Sequence, residues 1–136
     1  MVEAKHLEHR VTVDSAGTAG YHIGEPSDPR SRSAGQRRGY ELNGLARQFT
    51  REDFGKFEYV LAMDQDNLRA LKKLAPDQTS RDKVQLLRSY DPTAEPGAEV
   101  PDPYYGGADG FNHVIDICER ACRGLLEHIQ RELDAK

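Results

Sequence analysis

The sequence predicts an α/β domain, a three-layer sandwich in which a parallel sheet is flanked by helices. Two observations predict this class: short apolar runs alternate with helix-like segments, and the last part of the chain follows helical spacing for about 25 residues. The chain has 136 residues, of which 37% are hydrophobic and 31% charged. This composition is polar but globular, and the length fits one domain over residues 1–136.

Three segments have the pattern of β-strands. Residues 10–15 alternate β-branched and polar side chains and then enter a loop that contains glycines. Residues 57–63 form a nearly continuous apolar run, which is typical of a strand covered on both faces. Residues 83–87 form a third, shorter strand. Because helical segments separate these strands, the sheet is predicted to be parallel.

Helices are predicted between the strands. Residues 1–8 resemble the end of a helix without an N-cap, whereas residues 29–38 follow Asp28 as N-cap and begin with proline. Thr50 precedes two acidic residues and favours a short helix. Asp64 caps a helix with leucines at helical intervals, which ends before the next proline.

The final helix is the clearest element. Its apolar positions follow the i, i+3, i+4, i+7 rule. They are Phe111, Val114, Ile115, Cys118, Ala121, Cys122, Leu125, Ile129 and Leu133. The two cysteines lie one turn apart, with Cβ atoms about 5–6 Å from each other, which is too far for a disulfide. We therefore expect reduced thiols that serve as small core residues.

Several classes of function are disfavoured. The net charge of −4 does not provide the positive field of a nucleic-acid-binding protein. No apolar stretch has the roughly 18 residues of a membrane span, and the first residues have no signal-peptide core, so we expect a cytoplasmic protein. Neither glycine-rich nucleotide motif occurs. The cysteines with His113 and His128 do not have zinc-site spacing, and no metal is expected.

The long loop over residues 88–107 contains the most informative stretch, Asp102 to Gly106, with the letters DPYYG. An aspartate before proline in a wall of aromatic rings is suited to general acid catalysis. Taken alone, Asp102 is more typical of a turn than of a catalytic acid, since Asp28 and Asp91 also precede prolines.

Six ordered segments together resemble the low-molecular-weight protein tyrosine phosphatase family. They are residues 13–18, 24–30, 46–48, 50–54, 61–64 together with 67–68, and 102–106. The resemblance covers residues 11–132 and implies a four-stranded parallel sheet flanked by helices. It also implies hydrolysis of phosphotyrosine through a phosphocysteine intermediate, without metal or organic cofactor. The substrate would be a phosphotyrosine protein or a small aryl phosphate.

The resemblance also assigns residue roles. Asp102 is implied to be the general acid that protonates the departing phenolate and later activates water. Tyr104 and Tyr21 are implied to line the substrate crevice, and Ser15 to support the phosphate loop from behind. From the residues alone, Tyr21 is also an ordinary loop aromatic, and Ser15 a hydroxyl that ends a strand.

The sequence departs from the family at its nucleophile. The family's loop has the pattern C-x-x-x-x-x-R-[ST], but Gly124 and His128 stand six residues after Cys118 and Cys122. We therefore expect an N-terminally truncated, inactive chain that lacks the first strand and has no nucleophile. Strands would then close the gap by shifting together, or another copy would fill it by strand exchange, or the chain would be marginally stable.

Two rival functions remain open at this point. One is a non-catalytic phosphotyrosine-binding or regulatory module that keeps the aromatic wall. The other is an arsenate reductase on the same scaffold, which needs the missing thiol and further redox cysteines. The stretch that contains Asp102 favours the phosphatase.

Overall fold

A computed structural model describes residues 10–18, 36–37, 47–101 and 107–135, with the side chains of residues 107–109 left out of the description. Within these residues the elements follow in one order. They are a first 3₁₀ helix (Arg51–Gly55), β1 (Val60–Ala62), α1 (Gln65–Leu74), α2 (Gln78–Asp82), β2 (Val84–Leu86), a second 3₁₀ helix (Leu87–Tyr90) and α3 (Gly107–Asp134). Helices therefore alternate with strands, as predicted.

The two strands form a parallel pair in the described part of the chain. Val60 lies opposite Val84, and Ala62 opposite Leu86. These four side chains are buried, and Phe54 from the first 3₁₀ helix packs into the same core. The predicted strands at 57–63 and 83–87 are confirmed in shorter form, because only their central residues pair.

Local capping determines where the short helices begin. The Asp64 carboxylate accepts a hydrogen bond from the Asn67 N–H at 2.7 Å and starts α1, as predicted. The Thr50 N–H and hydroxyl both donate to Asp53, at 2.8 and 3.3 Å, and begin the first 3₁₀ helix. Helix α2 was not predicted, since its five residues are all polar and show no apolar period.

The predicted long helix is confirmed as α3, which packs against the second 3₁₀ helix. Its buried face differs from the predicted apolar stripe. Ile117 and Leu126, which lie outside that stripe, are buried at 2% and 4% exposure, whereas Cys118 and Cys122 are only partly buried. The backbones approach closely at Gly124, where a Cβ atom would lie 1.9 Å from the Tyr90 carbonyl oxygen.

The predicted strand at residues 10–15 is wrong. Residues 11–16 form no helix or strand, and Val13 is 76% exposed. Only Gly17 pairs, in an isolated parallel bridge to Gln48. A β-strand needs a partner for its backbone groups, and the two described strands pair with each other and not with this segment.

Other predictions fall partly outside the described residues. The fragment at 1–8 lies there entirely. Of the predicted helix at 29–38 the structure describes Gln36 and Arg37, which are helical. None of the described helices combines the length and the apolarity that crossing a bilayer demands.

Candidate active site

The end of the long loop is fixed where β1 ends and α1 begins. The Val100 N–H donates to the Met63 carbonyl at 2.7 Å. The Glu99 carboxylate accepts from the Gln65 N–H at 2.7 Å, and the Glu99 carbonyl accepts from Arg88 Nη1 at 2.9 Å. These bonds bring the loop to the carboxyl end of β1, the edge where ligands bind in open parallel sheets.

A second segment reaches the same helix turn from a distant part of the sequence. The Gly17 N–H donates to the Arg47 carbonyl, and the Gly17 carbonyl accepts from the Phe49 N–H, both at 2.8 Å. The Asn67 side-chain amide then donates to the Thr18 hydroxyl at 3.5 Å. Since Asn67 lies in the first turn of α1, the two segments converge beside that turn.

The structure describes one of the four predicted site residues. Ser15 is exposed, and its N–H donates to the Asp14 carboxylate at 2.8 Å. Asp102, Tyr104 and Tyr21 lie outside the described residues, so their roles remain predictions.

Arg47 holds this second segment through two carboxylates. Its guanidinium makes a bidentate pair with Asp53, at 3.0 and 3.2 Å. The same group donates from Nε to Asp14 at 3.1 Å. A planar guanidinium suits such a fork. Arg47 therefore links the exposed Asp14 to the core, a role that the sequence analysis missed although the arginine lies in one of the six family segments.

Asp53 is buried and ionised. Its side chain is 4% exposed. The hydrogen bond from Arg47 lowers the pKa of Asp53, burial opposes this shift, and the Thr50 N–H lowers the pKa further. The carboxylate thus has enough donors to keep its charge inside the protein.

Asp91 is a second buried aspartate, at the start of the long loop, which begins here and not at residue 88 because Leu87–Tyr90 form a 3₁₀ helix. Its side chain is fully buried and accepts from the Thr93 N–H at 2.9 Å and the Thr93 hydroxyl at 2.7 Å. Arg120 of α3 adds a longer bond of 3.4 Å. The Thr93 hydroxyl chiefly lowers the pKa of Asp91, against the effect of burial.

Asp91→Asn is expected to lower the free energy of unfolding at pH 7 by about 1–3 kcal/mol, because the amide accepts these bonds less well. The folded-state pKa lies below the unfolded value of about 3.9, so the carboxylate stabilises above that pH and loses its effect as pH falls. Urea unfolding from pH 7 to pH 3 should therefore show the two proteins converging in acid. Asp66→Asn, at an exposed carboxylate, is the control; an equal loss there, or a constant difference with pH, would contradict this account.

The two cysteines do not have the character of nucleophiles. Both are free thiols in the middle of α3. Burial raises the pKa of Cys118 to about 11 and also raises that of Cys122. A reactive cysteine needs a lowered pKa. The described residues also contain no group of three or more histidine, cysteine or acidic side chains that would hold a metal ion.

Comparison with known proteins places this geometry in a family. The family model for low molecular weight phosphotyrosine protein phosphatase matches residues 1–135. A low molecular weight protein-tyrosine-phosphatase of Streptomyces coelicolor is 45% identical over 136 residues, 99% of this chain and 83% of that protein. The human low molecular weight phosphotyrosine protein phosphatase is 41% identical over 128 residues, 93% of this chain and 80% of that protein.

A solved structure agrees. The crystal structure of a protein tyrosine phosphatase from Entamoeba histolytica, with Hepes in its active site, superposes with a TM-score of 0.90. It is 39% identical and covers 96% of this chain and 83% of that one. The family model, the sequence relatives and the shared fold lead to one conclusion: the chain belongs to the low molecular weight phosphotyrosine protein phosphatase family.

Proposed function

We propose that this domain serves the hydrolysis of phosphotyrosine, in proteins or in small aryl phosphates, through a phosphocysteine intermediate. Asp102 is the general acid that protonates the leaving phenolate and then activates water. Tyr104 and Tyr21 form the walls of the crevice, and Ser15 supports the phosphate loop. We further propose that the 136-residue chain, which has no C-x-x-x-x-x-R-[ST] sequence, does not catalyse this hydrolysis by itself.

The observation that carries the proposal is the convergence at the first turn of α1. The loop that leads into Asp102 arrives there through Glu99, and the segment that follows Ser15 arrives through Thr18. These two segments are separated by about eighty residues of sequence. Their meeting at the carboxyl end of β1 supports a shared site for substrate.

Loss of the nucleophile explains the proposed inactivity. Without a thiolate no covalent intermediate forms, and without a phosphate-binding loop and its arginine the charge of the transition state has no donors. An acid at Asp102 alone has no leaving group to protonate.

The purified 136-residue chain is expected to hydrolyse para-nitrophenyl phosphate no faster than buffer does. The Streptomyces coelicolor relative, assayed with and without vanadate, is the positive control. Turnover that vanadate inhibits and that falls in Asp102→Ala would overturn the inactivity proposal. Codons upstream of Met1 that encode an in-frame C-x-x-x-x-x-R-[ST] would place the reaction in a longer chain.

We also propose that two copies of the 136-residue chain exchange strands. Residues 11–16 have the composition of a strand and Val13 is exposed, but within the described residues they belong to no strand, and the described strands β1 and β2 pair with each other. An unpaired strand edge presents N–H and C=O groups that bind a further strand. Residues 11–16 of one copy would supply such a strand to the other.

Light scattering after size-exclusion chromatography is expected to give the mass of two chains. Val13→Lys, which places a charge where the apolar side chain enters the partner, is expected to shift the population to one chain. Thr79→Lys adds the same charge at an exposed position in α2 and should leave the dimer intact. A monomer at all concentrations would contradict strand exchange.

A further inference from the structure

Cys118 and Cys122 form a thiol pair that the phosphatase reaction does not use. They lie one helical turn apart in α3, so that both thiols face the same side of the helix with Cβ atoms about 5–6 Å apart. Both are free and partly exposed. Ile115 and Leu125, one turn to either side, are partly buried apolar residues of the same face.

Two ordinary uses of such a pair fail on chemical grounds. A disulfide needs Cβ atoms at about 3.5–4.5 Å, which this helical spacing does not provide. A structural metal such as zinc takes four ligands, of which this pair would supply only two. The described residues also offer no third ligand with the two thiols. A ligand that fits this pair therefore bonds to two sulfur atoms and needs no third donor from the protein.

We propose that Cys118 and Cys122 form a dithiol site for a trivalent aryl arsenical. In the step, an arsonous acid with one aryl group and two hydroxyls reacts with two neutral thiols. Two As–S bonds form, two As–O bonds break, and each thiol proton leaves on a hydroxyl as water. Arsenic stays trivalent, no electron is transferred, and no net charge develops.

The surroundings favour this neutral adduct over a charged one. The product carries no charge into the partly buried apolar face, so the burial that opposes thiolates does not oppose it. The aryl group extends over the same face, where Ile115 or Leu125 lies within one turn. Closure of the second As–S bond is intramolecular, and such closure strengthens binding by an effective concentration.

The test is titration of the purified chain with phenylarsine oxide in excess glutathione, followed by native mass spectrometry. We expect one retained arsenical per chain, bound at least about 100-fold more tightly than in Cys118→Ala or Cys122→Ala. Dimercaptopropanol should remove it. Equal retention by the single variants would overturn the proposal, because binding would then need only one thiol.

A register variant separates the helical geometry from the mere presence of two thiols. Cys122→Ala combined with Arg123→Cys keeps two cysteines in α3 but moves one off the shared face, at an exposed position. It is expected to lose the tight adduct while its circular dichroism spectrum stays that of the parent. Tight binding by this variant, or no retained arsenical on the folded parent chain, would overturn the proposed site.

Discussion

Gly124→Ala is expected to destabilise the protein by about 2 kcal/mol or more, because a core that has no room for an added methyl group must distort. The new Cβ would lie 1.9 Å from the Tyr90 carbonyl oxygen and 3.0 Å from its carbon. Both are backbone atoms, so no side-chain rotation relieves the clash. Helix α3 must therefore separate from the second 3₁₀ helix. The start of the long loop at Asp91, which directly follows that 3₁₀ helix, is displaced as well.

The sign of this effect distinguishes packing from helix propensity. Alanine in place of glycine stabilises a helix interior by about 0.5–1 kcal/mol when nothing obstructs the methyl group. Gly55 provides the matched control, since a Cβ there meets nothing within 4 Å. Urea unfolding should show Gly55→Ala close to the parent and Gly124→Ala clearly weaker. A Gly124→Ala protein as stable as the parent would contradict the close packing of α3.

Two helix starts were predictable because their signals lie within a few residues of each other. Asp64 and Thr50 cap helices because their partners are three residues away, so the pattern is local. The segment at 10–15 has the composition of a strand, yet a strand exists only if another lies beside it. That condition depends on distant parts of the chain, and no local pattern encodes it.

The candidate site was also predictable only in part: residue roles followed from the family resemblance, whereas long-range contacts did not. The resemblance supplied Ser15 and Asp102, but nothing in the sequence indicated that Glu99 caps α1 from 34 residues away. The hydrogen bond from Arg47 to Asp14, which are 33 residues apart, could likewise not be predicted from the sequence. The close approach of Gly124 to Tyr90 depends on how α3 packs against the second 3₁₀ helix, which periodicity alone does not determine.

Arg47→Leu is expected to lower the free energy of unfolding by about 3 kcal/mol, because it leaves the buried Asp53 charge without its main partner. The leucine keeps apolar bulk, so the loss reports the missing guanidinium. Asp14 is released at the same time, and the amide of Gly17 should exchange its hydrogen faster, since the segment loses its side-chain anchor. Guanidinium unfolding and hydrogen exchange measure the two effects.

An exposed pair of the same kind provides the control. Arg69 and Asp66 form an ion pair on α1 whose side chains are 65% and 86% exposed, and Arg69→Leu should cost less than about 1 kcal/mol. The acid response adds a second criterion. Arg47 is the main cause that lowers the pKa of Asp53, so its stabilisation is present above the unfolded pKa and disappears as pH falls. The free energies of unfolding of the parent and of Arg47→Leu should therefore differ most near neutral pH and converge below about pH 4. If Arg47→Leu and Arg69→Leu lowered the free energy of unfolding equally, Asp53 would not depend on its pairing with Arg47.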